Sequence, residues 1–272
     1  MSEIANYFLY RNAEGETGLS ANSIDDLNLD DLFAEIDYCH SSIGRQYLYY
    51  LLLSDKTSGM EKQEALLSSL ATHTGLRTLL SNSLKELDKP DAYSIVSILE
   101  NDNTGIGAKE MVLINICRFL PLLFLALMLL THSGVFLTLF VFSFVANAVL
   151  HYRNKAKIQR YFFSIPQLLK MIRQAGKLAQ NKEFISVDPS ITTDLKAVEG
   201  LKKYISYFRF NLSLDNDMAI LFYMAAELIR VFFLHEAYAV GRTFHLLKEK
   251  ATAIHNVYRF IGFLDSILSV AI

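Results

Sequence analysis

Residues 111–130 read MVLINICRFLPLLFLALMLL, residues 131–134 read THSG and residues 135–152 read VFLTLFVFSFVANAVLHY. This stretch of 42 residues contains one charged residue, Arg118. A helix that spans a bilayer needs about 20 mostly apolar residues, so the stretch predicts a two-helix transmembrane hairpin around a short polar turn. The alternative is a buried hairpin of a soluble core, although such helices usually keep a polar face. Arg118 is expected to extend toward the lipid headgroups.

Charge is distributed unevenly along the chain. Residues 1–110 contain 18 acidic and 8 basic residues, whereas residues 183–272 contain 10 acidic and 9 basic ones. Residues 111–182 contain nine basic residues and no acidic one. Basic residues next to a span mark its cytoplasmic side, and the turn at residues 131–134 has no Lys or Arg. We therefore expect a membrane protein with two spans and both termini in the cytoplasm.

The basic residues that follow the second span are the candidate binding residues of this chain. They can contact anionic lipid headgroups, and a contact with nucleic-acid phosphates is the alternative. DNA bound in this way would be recognised without sequence preference, and its affinity would fall steeply with salt concentration. The residues assigned to phosphate or lipid contact are Arg153, Lys155, Lys157, Arg160 and Arg173.

Outside the hairpin, apolar residues recur at helical spacing, which predicts an all-α chain. Ser41 or Ser42 is expected to cap a helix, and Gly44 permits the close approach of another one. The polar residues 11–28 are expected to form a loop. The predicted helices cover residues 29–36, 43–52, 62–72, 77–87, 167–180, 195–208 and 217–250, and a last helix begins at about residue 253.

The first half of residues 217–250 is apolar enough to resemble a third span. However, Glu227, Arg230, His235 and Glu236 argue against a span. On insertion scales, a charge at the bilayer centre costs about 2.5–3.5 kcal/mol. We therefore expect a buried helix of a soluble region here.

No residue pattern predicts catalysis, a cofactor or a metal. The phosphate-binding loop GxxxxGK[ST] does not occur, so no ATP site is expected within these 272 residues. His235-Glu236 begins like the zinc motif HExxH, but position 239 is Ala. Cys39 and Cys117 lack the spacing of metal ligands. His245 and His255 are expected to be structural. Six aromatic residues are candidates for stacking on nucleic-acid bases, but their helical spacing favours core positions: Tyr47, Tyr49, Tyr50, Tyr204, Tyr207 and Phe208.

Two parts of the chain resemble the core domain of MutS-type mismatch-repair ATPases. Residues 28–37, NLDDLFAEID, and 41–52, SSIGRQYLYYLL, resemble its opening: a first helix, a Ser–apolar–Gly break and a second, Leu-rich helix. Residues 262–271, GFLDSILSVA, resemble the last helix of that core, which leads into the ATPase domain. The resemblance is closest to a membrane-bound branch that carries transmembrane helices within its lever domain.

The resemblance implies a helical lever domain, interrupted by the hairpin. Its parts would be a polar lead at residues 1–28, core segments at 29–110 and 153–272, and the hairpin at 111–152. The resemblance also implies an ATPase domain outside this chain that binds ATP and Mg²⁺, assembly as a homodimer, and binding of mismatched DNA at the level of the family. This chain itself would not be an enzyme. The hairpin stands where mismatch-repair members carry a DNA clamp, which argues against direct clamping of DNA.

Phe33-Ala34-Glu35 matches the Phe-x-Glu wedge with which MutS proteins probe a mismatch. We interpret this match as a coincidence, because Phe33 falls on the apolar stripe of a predicted core helix. The alternative for the whole chain is a helical membrane adaptor or scaffold with no role for DNA or ATP. A small transporter or channel would need more spans and more buried polar residues than one hairpin supplies.

Overall fold

The structure is a computed structural model that describes residues 3–15, 18–19, 28–54, 60–99, 107–162, 164–201 and 231–271. At residues 60–63, 108, 155–162, 235–236 and 239–240 it describes the backbone alone. Within these ranges the chain is helical and has no β-strand, which confirms the all-α prediction.

The described helices follow one another without any other regular element. In chain order they are α1 (Asn6–Ala13), α2 (Leu29–Ile36), α3 (Ser42–Leu53), α4 (Met60–Thr72), α5 (Thr74–Lys85), a 3-10 helix (Pro90–Ser94), α6 (Ile95–Leu99), α7 (Ala108–Cys117), α8 (Leu120–Thr131), α9 (Gly134–Phe162), α10 (Ser164–Leu178), α11 (Lys182–Val187), α12 (Ile191–Glu199), α13 (His235–Glu249) and α14 (Ala251–Ala271).

The chain divides into two compact units, each built from segments that are distant in sequence. Unit 1 consists of Met1–Asn101, Phe163–Lys202 and Glu249–Ile272. Unit 2 consists of Asp102–Phe162 and Lys203–Lys248. The apolar hairpin therefore belongs to unit 2 together with α7 and α13, and the other described helices belong to unit 1.

The central helix of unit 1 is α14, which packs against α3, α4, α5, α10 and α12. A helix that is apolar on most sides must be buried, and α14 has this composition. Two glycines let α3 and α14 approach closely. A Cβ added at Gly262 would lie 2.5 Å from the Tyr47 Cβ, and one at Gly44 would lie 2.1 Å from the Asp265 carboxylate. The role predicted for Gly44 is confirmed.

Unit 2 contains the apolar hairpin, in which α8 packs against α9. His132 ends α8 in the left-handed region, with φ 53°, and donates its N–H to the Met128 carbonyl. The segments Lys109–Thr131 and Gly134–Asn154 are long and apolar enough to cross a membrane. Helix α9 continues beyond the apolar stretch, to Phe162.

The polar lead, residues 1–28, begins with helix α1, of which only residues 11–13 fall within the loop predicted for residues 11–28. This helix buries Tyr7 and Phe8. The Tyr7 hydroxyl lies 2.9 Å from His255 Nε2, and its ring centroid is 4.8 Å from that of Tyr258. Two aromatic residues among polar neighbours are a weak periodic signal, so contacts with the distant α14 decide the position of α1.

The prediction of one long helix over residues 217–250 was wrong in one respect. Its first part, residues 217–230, lies outside the described residues. The chain is interrupted at Leu234, which has φ 47°, and α13 then runs to Glu249. A β-region or helical φ is the rule for leucine, so only the surrounding tertiary contacts can hold this conformation.

Candidate functional site

Four of the five basic residues assigned to phosphate or lipid contact lie on one helix. Arg153 is exposed on α9, and positions 155, 157 and 160 follow it in the same helix. The side chains of Lys155, Lys157 and Arg160 lie outside the described set. Arg173 is exposed on α10, in unit 1. The predicted cluster is therefore divided between the two units.

A second candidate site lies where α14 meets the loop between α2 and α3. This α2–α3 junction comprises residues 36–45 together with Asp265 and Ser269 of α14. Asp265 Oδ1 accepts the N–H of His40 at 2.9 Å. Its Oδ2 accepts the Ser41 N–H at 2.8 Å and the Ser41 hydroxyl at 2.5 Å. One buried carboxylate thus binds two successive backbone N–H groups.

Ser269 lies one turn beyond Asp265 and binds the preceding part of the same loop. Its hydroxyl accepts the Tyr38 N–H and donates to the Ile36 carbonyl, both at 2.7 Å. Ser41 caps α3 as predicted, since its Oγ accepts the Gly44 N–H at 3.0 Å. Helix termini leave backbone groups without partners, and α14 supplies those partners for the end of α2 and the approach to α3.

Arg45 connects the α2–α3 junction to the segment that follows α5. Its guanidinium donates to Asp88 Oδ1 at 2.8 Å and to the Cys39 carbonyl at 3.3 Å. Its Nε lies 3.4 Å from Asp37 Oδ2. Because these groups are partly exposed, the pairs contribute more to orientation than to stability.

Burial determines the electrostatics of the α2–α3 junction. It raises the pKa of Asp265 from 3.8 to about 6, against the opposing effect of hydrogen bonds from His40 and Ser41 and of the Arg45 charge. Burial also raises the pKa of the Cys39 thiol and lowers that of His40. Since the Asp265 side chain is fully buried, it cannot reach a substrate. Its role is to position the loop.

The position of Asp265 in its helix is a signal that the sequence itself contains. This aspartate is the only acidic residue in α14. A single carboxyl group in a helix that is otherwise mostly apolar must find donors when it is buried. The spacing along the chain gives no indication of which donors those are, because His40 lies 225 residues away.

The base-stacking candidates and Phe33 of the Phe-x-Glu match are core residues where the structure describes them. Phe33 is 3% exposed and makes an edge contact with Tyr49, at a centroid distance of 5.3 Å. Tyr47 and Tyr50 are buried against Tyr7. The structural interpretation is therefore confirmed for these residues. The others in that set, Tyr204, Tyr207 and Phe208, lie outside the described residues.

Within the described ranges, no three His, Cys, Asp or Glu side chains come together in a group that could hold a metal ion. The side chains of His235 and Glu236 lie outside the described set. His255 makes the hydrogen bond to Tyr7 in unit 1. The arrangement of this histidine is that of a packed structural side chain.

No protein-family model, no curated protein and no solved structure matches this chain. Its function must therefore be inferred from its own chemistry. Three features carry that inference: the α2–α3 junction, the apolar hairpin and the basic continuation of α9.

Proposed function

We propose that this chain is the membrane-anchored helical lever region of a MutS-like protein, which positions an ATP-binding domain that lies outside these 272 residues. The observation that carries the proposal is the α2–α3 junction. The segments that resemble the opening of the MutS core flank the loop at residues 38–40 and include Ile36 and Ser41. The segment that resembles the last helix of that core contains Asp265 and Ser269. The two resembling segments are thus hydrogen-bonded partners in unit 1.

In this proposal the α2–α3 junction transmits movement. A domain attached beyond α14 would pull on that helix, and the bonds of Asp265 and Ser269 would carry the displacement to the start of α3. Close packing supports such transmission, because well-packed interiors have low compressibility. The ATP chemistry, with its Mg²⁺, belongs to the attached domain. A dimer of such chains would bring two of these domains together.

The hairpin supplies the anchor. Its large apolar side chains are exposed, including Leu130 at 80% and Phe142 at 69%. A large exposed apolar surface on a soluble monomer marks a contact with a membrane or with another protein. The basic residues after Tyr152 favour the cytoplasmic surface for the continuing end of α9, where anionic lipid is their proposed partner. Both termini then lie in the cytoplasm, and any contact with DNA phosphates is independent of sequence.

The topology can be tested by cysteine labelling of intact cells. A Cys placed at Ser133 in the hairpin turn should react with an impermeant reagent, whereas native Cys39 should be spared. Recovery of the whole chain in the soluble fraction without detergent would contradict the membrane anchor. If neither site is labelled in intact cells and Ser133→Cys is labelled in inverted vesicles, the orientation is the opposite of the one proposed.

The lever role can be tested on the complete reading frame. We expect a phosphate-binding loop beyond Ile272 or on a stably associated chain, and ATP turnover by the purified assembly. Gly262→Ala should reduce that turnover, because the added Cβ would meet Tyr47. Gly176→Ala is the matched control, since its Cβ would meet nothing within 4 Å. If the complete protein has no ATPase domain and binds no separate ATPase, the membrane adaptor is favoured instead.

A further inference from the structure

Asn147 is the only carboxamide in the charge-free residues 119–152, and it is 1% exposed. It lies on α9, within the second membrane-length segment. Its Nδ2 donates to two backbone carbonyls of unit 2, that of Cys117 at 3.2 Å and that of Phe232 at 2.9 Å. Both acceptors belong to segments whose helices are interrupted.

The Cys117 carbonyl lacks its ordinary partner for a covalent reason. In a continuous helix it would accept the N–H of the residue four positions later, which is Pro121, and proline has no N–H. The Phe232 carbonyl lies two residues before Leu234, where the left-handed φ of 47° interrupts the helix. Asn147 therefore supplies donors at two breaks in the backbone ladder.

The position of Asn147 along α9 gives its depth in a bilayer. It lies 13 residues after Gly134 and 7 before Asn154, the ends of the apolar segment. At 1.5 Å per residue these separations are about 20 Å and about 10 Å. The Phe232 ring lies still closer to the middle of the segment, with centroid distances of 6.0 Å to Phe140 and 6.3 Å to Phe144.

The residues after Phe232 pack on the end of the hairpin that is nearer to Asn154. Leu234 and Ala237 form a buried cluster with Ile114, and Leu150 and Tyr238 pack against it. The Arg118 guanidinium lies 4.2 Å from the centre of the Tyr238 ring. Ile114 and Leu150 lie within about 8 Å of the ends of their segments, at a rise of 1.5 Å per residue.

We infer that residues 231–238 are inserted into the bilayer as a third membrane-embedded segment, packed on the hairpin and hydrogen-bonded to it by Asn147. The inference rests on the membrane placement proposed above. Irregular backbone is tolerated at membrane depth only where protein groups satisfy it, and Asn147 is such a group. This inference replaces the expectation from the sequence that residues 231–238 belong to a soluble region. The positions after Leu234 come near the headgroups, where charges cost less than at the centre.

The depth of residue 233 tests this inference. Phe233 is 36% exposed, so it accepts a label. In a Cys39→Ala, Cys117→Ala background, single cysteines at Phe233, Phe142 and Lys248 are labelled with an environment-sensitive fluorophore in the full chain, reconstituted in phosphatidylcholine–phosphatidylglycerol vesicles. Nitroxides on the lipid acyl chains should quench the labels at 233 and 142. Aqueous iodide should quench the label at 248 alone.

The label at Phe142 separates the two levels of the proposal. Iodide quenching at both 142 and 233 would overturn the membrane anchor and the inserted segment together. Iodide quenching at 233 with lipid quenching at 142 would overturn the inserted segment alone. Asn147→Ala should increase iodide quenching at 233, because two carbonyls lose their donor. Ser143→Ala is the control, since that hydroxyl bonds within its own helix to the Phe140 carbonyl. Equal quenching in both variants would exclude the role of Asn147.

Discussion

Units 1 and 2 both contain long apolar helices, but these helices are mostly buried in unit 1 and mostly exposed in unit 2. In unit 1, α14 is buried along most of its length by surrounding helices. In unit 2, only 11% and 17% of the most apolar 18 residues are buried in the segments Lys109–Thr131 and Gly134–Asn154. Similar side chains thus occur in two surroundings. Protein covers α14, and in our proposal lipid covers the hairpin.

In each unit, one buried polar side chain binds backbone groups at a break in a helix. Asp265 in unit 1 is an acceptor and binds backbone N–H groups of a loop. Asn147 in unit 2 is a donor and binds backbone carbonyls. The start of a helix leaves N–H groups without partners, and the end of a helix leaves carbonyls. Each side chain therefore matches the type of backbone break that it faces.

The largest effect is expected from removing core side chains of unit 1. Leu264→Ala and Leu48→Ala should each lower the free energy of unfolding by about 2–5 kcal/mol, because both side chains are buried in unit 1. Urea unfolding of the detergent-solubilised chain, followed by tyrosine fluorescence, measures this loss. Val270→Ala, at an exposed position of α14, is the control. Changes within about 0.5 kcal/mol at both core sites would refute the packing.

A pair of arginine substitutions tests what the exposed apolar residues face. Phe142 on α9 and Leu79 on α5 are 69% and 45% exposed. If Phe142 faces lipid, Phe142→Arg should cost about 2.5–3.5 kcal/mol in a membrane-insertion assay. Leu79→Arg should leave insertion unchanged, and should alter the stability of unit 1 by no more than about 0.5 kcal/mol. Equal effects at both sites would show that the two surfaces face the same medium.

Stability should depend on pH through Asp265. Its folded pKa of about 6 exceeds the reference value of 3.8, so the folded state binds the proton more tightly than the unfolded state. The contribution to stability is fully present below about pH 4 and is lost as pH rises through about 6. The difference between the two pKa values corresponds to roughly 3 kcal/mol.

Urea unfolding between pH 4 and 8 measures this effect. Asp265→Asn should flatten the profile over that range, while Asp194→Asn on α12 should retain the slope. An equal slope in the wild type and in Asp265→Asn would mean that other groups control the pH dependence.

The smallest effect is expected at the cap of α3. Ser41→Ala removes the hydroxyl that accepts from Gly44 and donates to Asp265, and should cost about 0.5–2 kcal/mol. Ser68→Ala, at an exposed position inside α4, serves as the reference in the same urea titration. Indistinguishable midpoints for the two variants would exclude the cap as a contributor.

Local patterns were sufficient for several elements. The charge-free composition of residues 119–152 predicted the hairpin, and the Ser–apolar–Gly pattern predicted a capped helix with a close contact at Gly44. These properties depend on residues within one or two turns of each other. The buried position of Phe33 followed in the same way from its place on an apolar stripe.

Other features could not be derived from local patterns. The helix at Asn6–Ala13 depends on partners in α14, and Tyr7 and His255 are 248 residues apart. The break at Leu234 has no Gly or Pro to mark it. Arg153 and Arg173 are close in sequence but belong to different compact units. Each of these outcomes depends on a contact between residues distant along the chain.

The sequence by itself determined that this chain is helical, that one region is apolar enough to cross a membrane, and that its basic residues follow that region. Helical periodicity, apolar length and charge are properties of neighbouring residues, so they can be read directly. Only the tertiary structure decided that Asp265 binds the loop before α3 and that Asn147 binds the Phe232 carbonyl. A buried polar group must have a partner, but the residue that provides it is selected by packing across the fold.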